Sequence, residues 1–153
     1  MPITIISKYI PVMYIYYIID DKPITVCVEG NYASWKYMDD HGMESHTIAE
    51  NLSHPLDIVD LLTKIKIPYS VRTLKLSFSF RPTSYKVLYW PECYAGIREN
   101  YYTNYKYSNV MKDNLIIPLG EPGYIFQVQA TWPQGEAYYD FYVSKYNTYS
   151  IMV

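Results

Sequence analysis

Cysteine is scarce: Cys27 and Cys93 are the only two in 153 residues, and neither belongs to a Cys-x-x-Cys pair or a Cys/His cluster of zinc spacing. Thiol redox chemistry is therefore excluded, and one disulfide between the two, in an oxidising compartment, is the most they can form. The six glycines are scattered, which rules out a glycine-rich phosphate loop and nucleotide-dependent chemistry. Charge is low as well, at 18% of residues with a net of −2, so no basic stripe exists to neutralise phosphates and nucleic acid is excluded as a partner. The most apolar stretch, Ile5 to Ile19, is broken by Lys8 and Pro11 and falls short of the roughly 20 residues of a transmembrane span. It is expected to be a buried strand. Met1 to Lys22 lacks the basic start and small-residue cleavage site of a leader, so an extracytoplasmic location is expected if a leader precedes this chain in nature, and a cytoplasmic one otherwise.

Aromatic residues, by contrast, are abundant: 18% of the chain, with 20 tyrosines. Tyrosine favours strands and packs like a hydrophobe while keeping a polar tip. With half of the residues apolar, the chain can close one core, and a single domain over residues 1–153 is expected. Leu74, Leu76, Phe78 and Phe80 alternate with Lys75, Ser77 and Ser79, a strand with one wet face. Ser84 to Trp90 forms a second strand stopped by Pro91, and Ile24, Val26 and Val28 mark an earlier one on which Cys27 faces outward. Near the C-terminus, Tyr124 to Trp132 and Ala137 to Val143 alternate on either side of Pro133-Gln134-Gly135. That spacing predicts a tight hairpin, with proline at the first turn position and glycine in a left-handed one.

One short helical turn is expected near residues 55–62, with Ser53 as cap, Pro55 in the first turn, and Leu56, Ile58, Val59, Leu61 and Leu62 on an apolar face. The tyrosine-rich stretch Glu99 to Tyr107 reads as a surface hairpin or a loop. Many short strands with little helix predict an all-β, immunoglobulin-like antiparallel β-sandwich. The sandwich is favoured over a barrel by Tyr124, which begins the penultimate strand two residues before inward-facing Phe126, the placing of a tyrosine corner.

The pattern Gly123-Tyr124-x-Phe126-x-Val128-x-Ala130-x-Trp132-x-x-Gly135-x-Ala137-x-Tyr139-x-Phe141-x-Val143 resembles the closing hairpin of a small immunoglobulin-like domain in exported lipoproteins of Gram-positive bacteria. Ile24 to Val28, Tyr32 and Trp35, Pro55-Leu56-Asp57, Leu74 to Pro82 and Tyr85 to Trp90 extend the likeness over about residues 22–143. Related members often carry a cysteine where this chain has Ala33 and Ser34. The resemblance implies a sandwich and export, and no reaction is assigned to the family.

The one concentration of metal-ligand or acid–base residues is Asp39-Asp40-His41-Gly42-Met43-Glu44-Ser45-His46, with His54 beyond it. All three histidines read as parts of one solvated loop region, and their spacing matches no defined site, so neither a metal, a cofactor nor catalysis is expected. A hydrolase centred on His41, Glu44 and His46 is the enzymatic rival. The outward tyrosines carry the functional expectation: Tyr138 and Tyr142 on the wet face of the last strand, and Tyr101, Tyr102, Tyr105 and Tyr107 in one polar stretch. Such rings anchor protein partners or stack on sugars. A non-catalytic protein-interaction module is expected, with a carbohydrate-binding module that uses the exposed tyrosines, or a proteinaceous enzyme inhibitor, as the alternatives. Dimerisation is expected if Val12 to Ile19 forms an edge strand, because its unpaired backbone would pair with a second copy.

Overall fold

Alternating apolar and polar residues commit most of the chain to strands. The computed structural model describes residues 10–38, 40–50 and 53–147 and arranges twelve strands in two sheets. The first sheet runs in the order β2 (Lys22–Val28), β1 (Met13–Ile19), β6 (Thr73–Phe78), β10 (Asn114–Ile116) and β9 (Val110–Met111). The second runs β4 (Glu44–Glu50), β3 (Tyr32–Met38), β12 (Gly135–Tyr146), β11 (Gly123–Trp132), β7 (Ser84–Pro91) and β8 (Lys106–Tyr107), with β5 (Thr63–Pro68) also bonded to β12. The protein is thus an all-β sandwich. Every pairing is antiparallel except one, β5 along β12.

The apolar segment becomes β1, which lies inside its sheet, bonded to β2 on one side and β6 on the other, so the edge position on which dimerisation was conditional is not met. Its backbone is paired with β2 along its length and with β6 from Met13 to Tyr16, and the edges of that sheet are β2 and β9. The part of the apolar stretch before Ile10 lies outside the described residues. β12 changes partner along its length: Gly135 to Tyr138 pair with β3, and Phe141 to Tyr146 pair with β5. Asp140 sits at that seam.

The core between the sheets takes side chains from both. Met13, Ile15, Leu74, Leu76 and Leu115 from one sheet meet Trp35, Ile65, Phe126, Val128, Tyr139 and Phe141 from the other. The rings of Phe126 and Phe141, cross-strand partners in the closing hairpin, stack at 5.2 Å. The Tyr124 hydroxyl donates to Leu119 O at 2.8 Å and accepts from Glu121 N–H, which ties the entry loop to β11. Two further hairpins turn on Asp20-Asp21 and Lys112-Asp113, all four residues at positive φ, the twist-matched turn of a two-residue connection. No glycine marks either of them in the sequence.

The hairpin at Pro133-Gln134 forms with Trp132 opposite Gly135, and glycine is there for two reasons, one expected and one not. Its φ of 159° is positive, which L side chains rarely adopt, and a Cβ at this position would also lie 1.9 Å from Ser34 O. Gly135 lets the β3 backbone approach β12. The expected helical turn becomes two 3-10 turns, Pro55–Asp57 and Val59–Leu61, and the cap is His54 in place of Ser53, because the imidazole accepts from Leu56 N–H. Leu56 and Leu62 are buried, while Leu61 is exposed.

Candidate functional site

Along β11 the residues that face away from the main core are Ile125, Gln127, Gln129 and Thr131, and their neighbours on β7 are Lys86, Leu88 and Trp90. One end of this outer face is covered. Leu56, Leu62, Leu88, Trp90, Tyr101 and Ile125 form a second apolar cluster, closed by the 3-10 turns after His54 and by the segment around Tyr94 and Tyr101. The other end stays open, and where cover meets open sheet there is a cleft of about 440 Å³.

Its floor is polar. Gln129 Nε2 donates to Gln127 Oε1 at 2.7 Å, and Gln127 lies directly across from Asp140 on β12. Asn31 Nδ2 donates to Asp140 Oδ2 at 2.7 Å, the Gln127 amide also favours the carboxylate, and Oδ1 is shut away from solvent. Asp140 is only 4% exposed, and it lines both the cleft and a second opening beside Gly30 and Leu62. Burial raises its pKa to about 6 against the opposing pull of the Gln127 and Asn31 amides. Among the described residues the one ion pair is Arg81 with Asp113, so no cation there neutralises Asp140.

The wall is aromatic and centred on His54. Its ring stacks on Tyr101 at 4.5 Å and meets Trp90 and Tyr102 edge-on at 4.8 and 5.0 Å. Both imidazole nitrogens are engaged: Nδ1 accepts from Leu56 N–H, which leaves Nε2–H to donate to Tyr101 O at 3.0 Å. The Trp90 indole N–H donates to the same carbonyl at 3.1 Å. Burial lowers the pKa of His54, in keeping with a neutral ring. Across the floor, Tyr32 and Tyr138 are register partners whose rings lie 5.1 Å apart at 54°.

The six tyrosines singled out from the sequence do not form one surface. Tyr102, Tyr105 and Tyr138 line the cleft, and Tyr102 is 73% exposed. Tyr101 lines it too, but as a buried pin: its hydroxyl donates to Asp57 Oδ1 and accepts from Gly96 N–H, locking the two covering segments together. Tyr107 is exposed on β8 at the sheet edge, with its ring edge-on to Tyr105. Tyr142, expected on the wet face, is half-buried against the second cluster and donates to Glu92. The stretch left open between hairpin and loop consists of a 3-10 turn, Arg98–Asn100, followed by β8.

The histidines likewise separate. His41 lies in the turn between β3 and β4, His46 lies on β4 with Nε2 2.6 Å from Ser34 Oγ, and His54 stands in the cleft wall. They do not share a loop as expected. Asp39 lies outside the described residues, and among those described no three His, Cys, Asp or Glu side chains converge as a metal site. Cys27 and Cys93 are both exposed free thiols.

Sequence reasoning missed Asn31, Gln127, Gln129, Asp140 and His54 as parts of one site. Gln127, Gln129 and Asp140 were legible as outward positions of the closing hairpin, but nothing local marks an outward residue as buried by a distant loop. Comparison with protein-family models, curated proteins and solved structures gives no match, so the chemistry of the cleft itself carries the functional reading.

Proposed function

We propose that this chain is a non-catalytic interaction module that takes its partner in the cleft on the outer face of the seven-stranded sheet. The observation that carries the reading is a cleft of about 440 Å³ in which an aromatic wall around His54, Trp90 and Tyr102 faces a polar floor of Gln127, Gln129 and Asp140. Sites with a few convergent polar groups set among apolar and aromatic ones, and with a perturbed ionisable group, are the default places for a ligand. The non-catalytic part is supported by His54, whose two nitrogens are both committed to backbone groups and which is thereby held as a structural ring. A general base needs a free nitrogen within reach of the proton it removes. The same proposal takes the sandwich to be immunoglobulin-like, of the kind found in exported Gram-positive lipoproteins. The hydrogen bond from Tyr124 to Leu119 O, a tyrosine-corner contact, supports that part.

The test is a two-dimensional amide NMR titration of the whole chain against separate panels of oligosaccharides, peptides and nucleotides. Shifts at Leu88, Gln127, Gln129 and Tyr138 and at the Trp90 indole, with the ligand spectrum unchanged over hours, are expected for at least one panel. Shifts confined to the five-stranded sheet, or no shift with any panel, would overturn the cleft as the site. Conversion of the ligand would overturn the non-catalytic reading.

A further inference from the structure

We infer that His54 is a pH-sensitive latch on the cleft wall: a proton on its Nδ1 unfastens the cover over the outer sheet face and exposes the apolar cluster beneath. The hydrogen bonds define the tautomer that the closed wall requires. Leu56 N–H can only donate, so Nδ1, 3.1 Å away, must present its lone pair. The proton of the neutral ring then sits on Nε2, 3.0 Å from Tyr101 O, which can only accept. The Nδ1 lone pair is the one basic site of such a ring. A proton from water reaches it only after the bond to Leu56 has broken, and an imidazolium cannot remake that bond, because two N–H donors would face each other.

That bond holds the cover in place. His54 caps the Pro55–Asp57 turn, and Leu56 within the turn is buried in the same cluster as Trp90 and Tyr101. The ring also fastens the turn to the second covering segment through Tyr101 O, a carbonyl that takes the Trp90 indole N–H at 3.1 Å. Asp57 of the turn takes the Tyr101 hydroxyl at 2.7 Å. Release of a charged ring to water therefore loosens the turn, the Tyr101 segment and Trp90 together.

The surroundings oppose a charged ring where it stands. Asp57, on its own turn, attracts the imidazolium, but its Oδ1 is already engaged by Tyr101. The covering segment and β7 face it with the rings of Tyr101, Tyr102 and Trp90, while Lys86 of β7 and Asp140 of β12 line the same cleft. Burial outweighs the pull of Tyr101 O and Asp57 and holds the pKa of His54 below its ordinary 6.5. The sign follows: an opened ring, back in water, takes its proton at the ordinary value and the closed ring only at lower pH. Opening is thus independent of pH well above 6.5 and grows as pH falls beneath it, by at most about tenfold per unit for one proton. Asp140 runs the other way, since its protonation as pH falls through about 6 favours the fold. Acid loosens the wall while it steadies the floor. The latch belongs to the wall itself and does not depend on what the cleft binds.

The experiment follows the intact chain by NMR from about pH 8 to about pH 5. It reads the His54 ring nitrogens together with hydrogen-exchange protection at the Leu56 amide and the Trp90 indole, corrected for the intrinsic pH dependence of exchange. His54→Asn and Asp140→Asn are measured in parallel. Asparagine is a good cap that offers Leu56 N–H an acceptor at every pH. Below about pH 6.5, protection at both reporters is expected to fall by up to about tenfold per unit and to level off where the ring takes its proton. The fall should persist in Asp140→Asn and vanish in His54→Asn. Constant protection across the range, a ring that titrates at or above its ordinary value, or the same fall in His54→Asn would overturn the latch. So would a loss at Leu56 that only matches the loss at Val128 in the main core. If His54→Asn does not fold, the parent decides: a ring that titrates while Leu56 and Trp90 keep their protection overturns the inference equally.

Discussion

Asp140 shows how a single residue can set the behaviour of a site. Its folded pKa, about 6, lies above the ordinary aspartate value of 3.8, so the folded state holds a proton that the unfolded state has released between those two values. The sign follows: this group favours the fold most at low pH, loses that contribution as pH rises from about 4 through 6, and is flat above about 7. A shift of some two units corresponds to roughly 3 kcal/mol at neutral pH. Asp140→Asn, which can still accept from Asn31, should therefore be more stable than the parent by up to about 3 kcal/mol at pH 7, and the two should converge near pH 4. Urea midpoints across that range test it. Equal stability of the two at pH 7 would mean that the carboxylate is already compensated. Retention of a group that weakens the fold is what a binding site, and not a core, would favour.

At the scale of the element, the closing hairpin was legible from its alternation alone, since a period of two fixes which side chains face the core. Phe126, Val128, Tyr139 and Phe141 are all fully buried as that alternation requires. The positive φ of Gly135 was legible from the turn, but its close approach to β3 was not, because that strand lies about a hundred residues earlier in the chain. Gly135→Ala tests both together. The structure places the new methyl carbon against Ser34 O, so β3 must part from β12 at a cost of at least about 1–3 kcal/mol. Thermal melts, with amide exchange at Ala33 and Trp35, measure it. An unchanged melt would show that the strands can separate freely. The helical turn was misjudged in a related way: Ser53 is a good cap by composition, yet His54 takes the position because its ring is held by Tyr101 and Trp90.

At the scale of the whole molecule, the two sheets share one core, with Met13, Leu74 and Leu115 packed in the same cluster as Trp35, Phe126 and Tyr139. Neither sheet can lose its inner face without exposing the other, so unfolding in urea should be a single transition, the same by tryptophan fluorescence and by far-ultraviolet circular dichroism. Two separated transitions would show that the sheets are independent. Three tryptophans report on different parts of this structure: Trp35 and Trp132 meet edge-on in the main core at 5.4 Å, while Trp90 belongs to the outer cluster.

By itself the sequence determined the class of fold, the inward faces of the main strands and the closing hairpin, because these depend on alternation and on turn residues that act over a few positions. It also determined that rings would be plentiful at the surface. Only the tertiary structure decided where they gather. Tyr101 became a pin and Tyr142 a packing residue because distant segments fold over one end of the outer sheet face. The same cover set His54 apart from His41 and His46 and left Asp140 buried beside an open cleft. Burial and partnership are properties of contacts between residues far apart in the chain, and no local pattern records them.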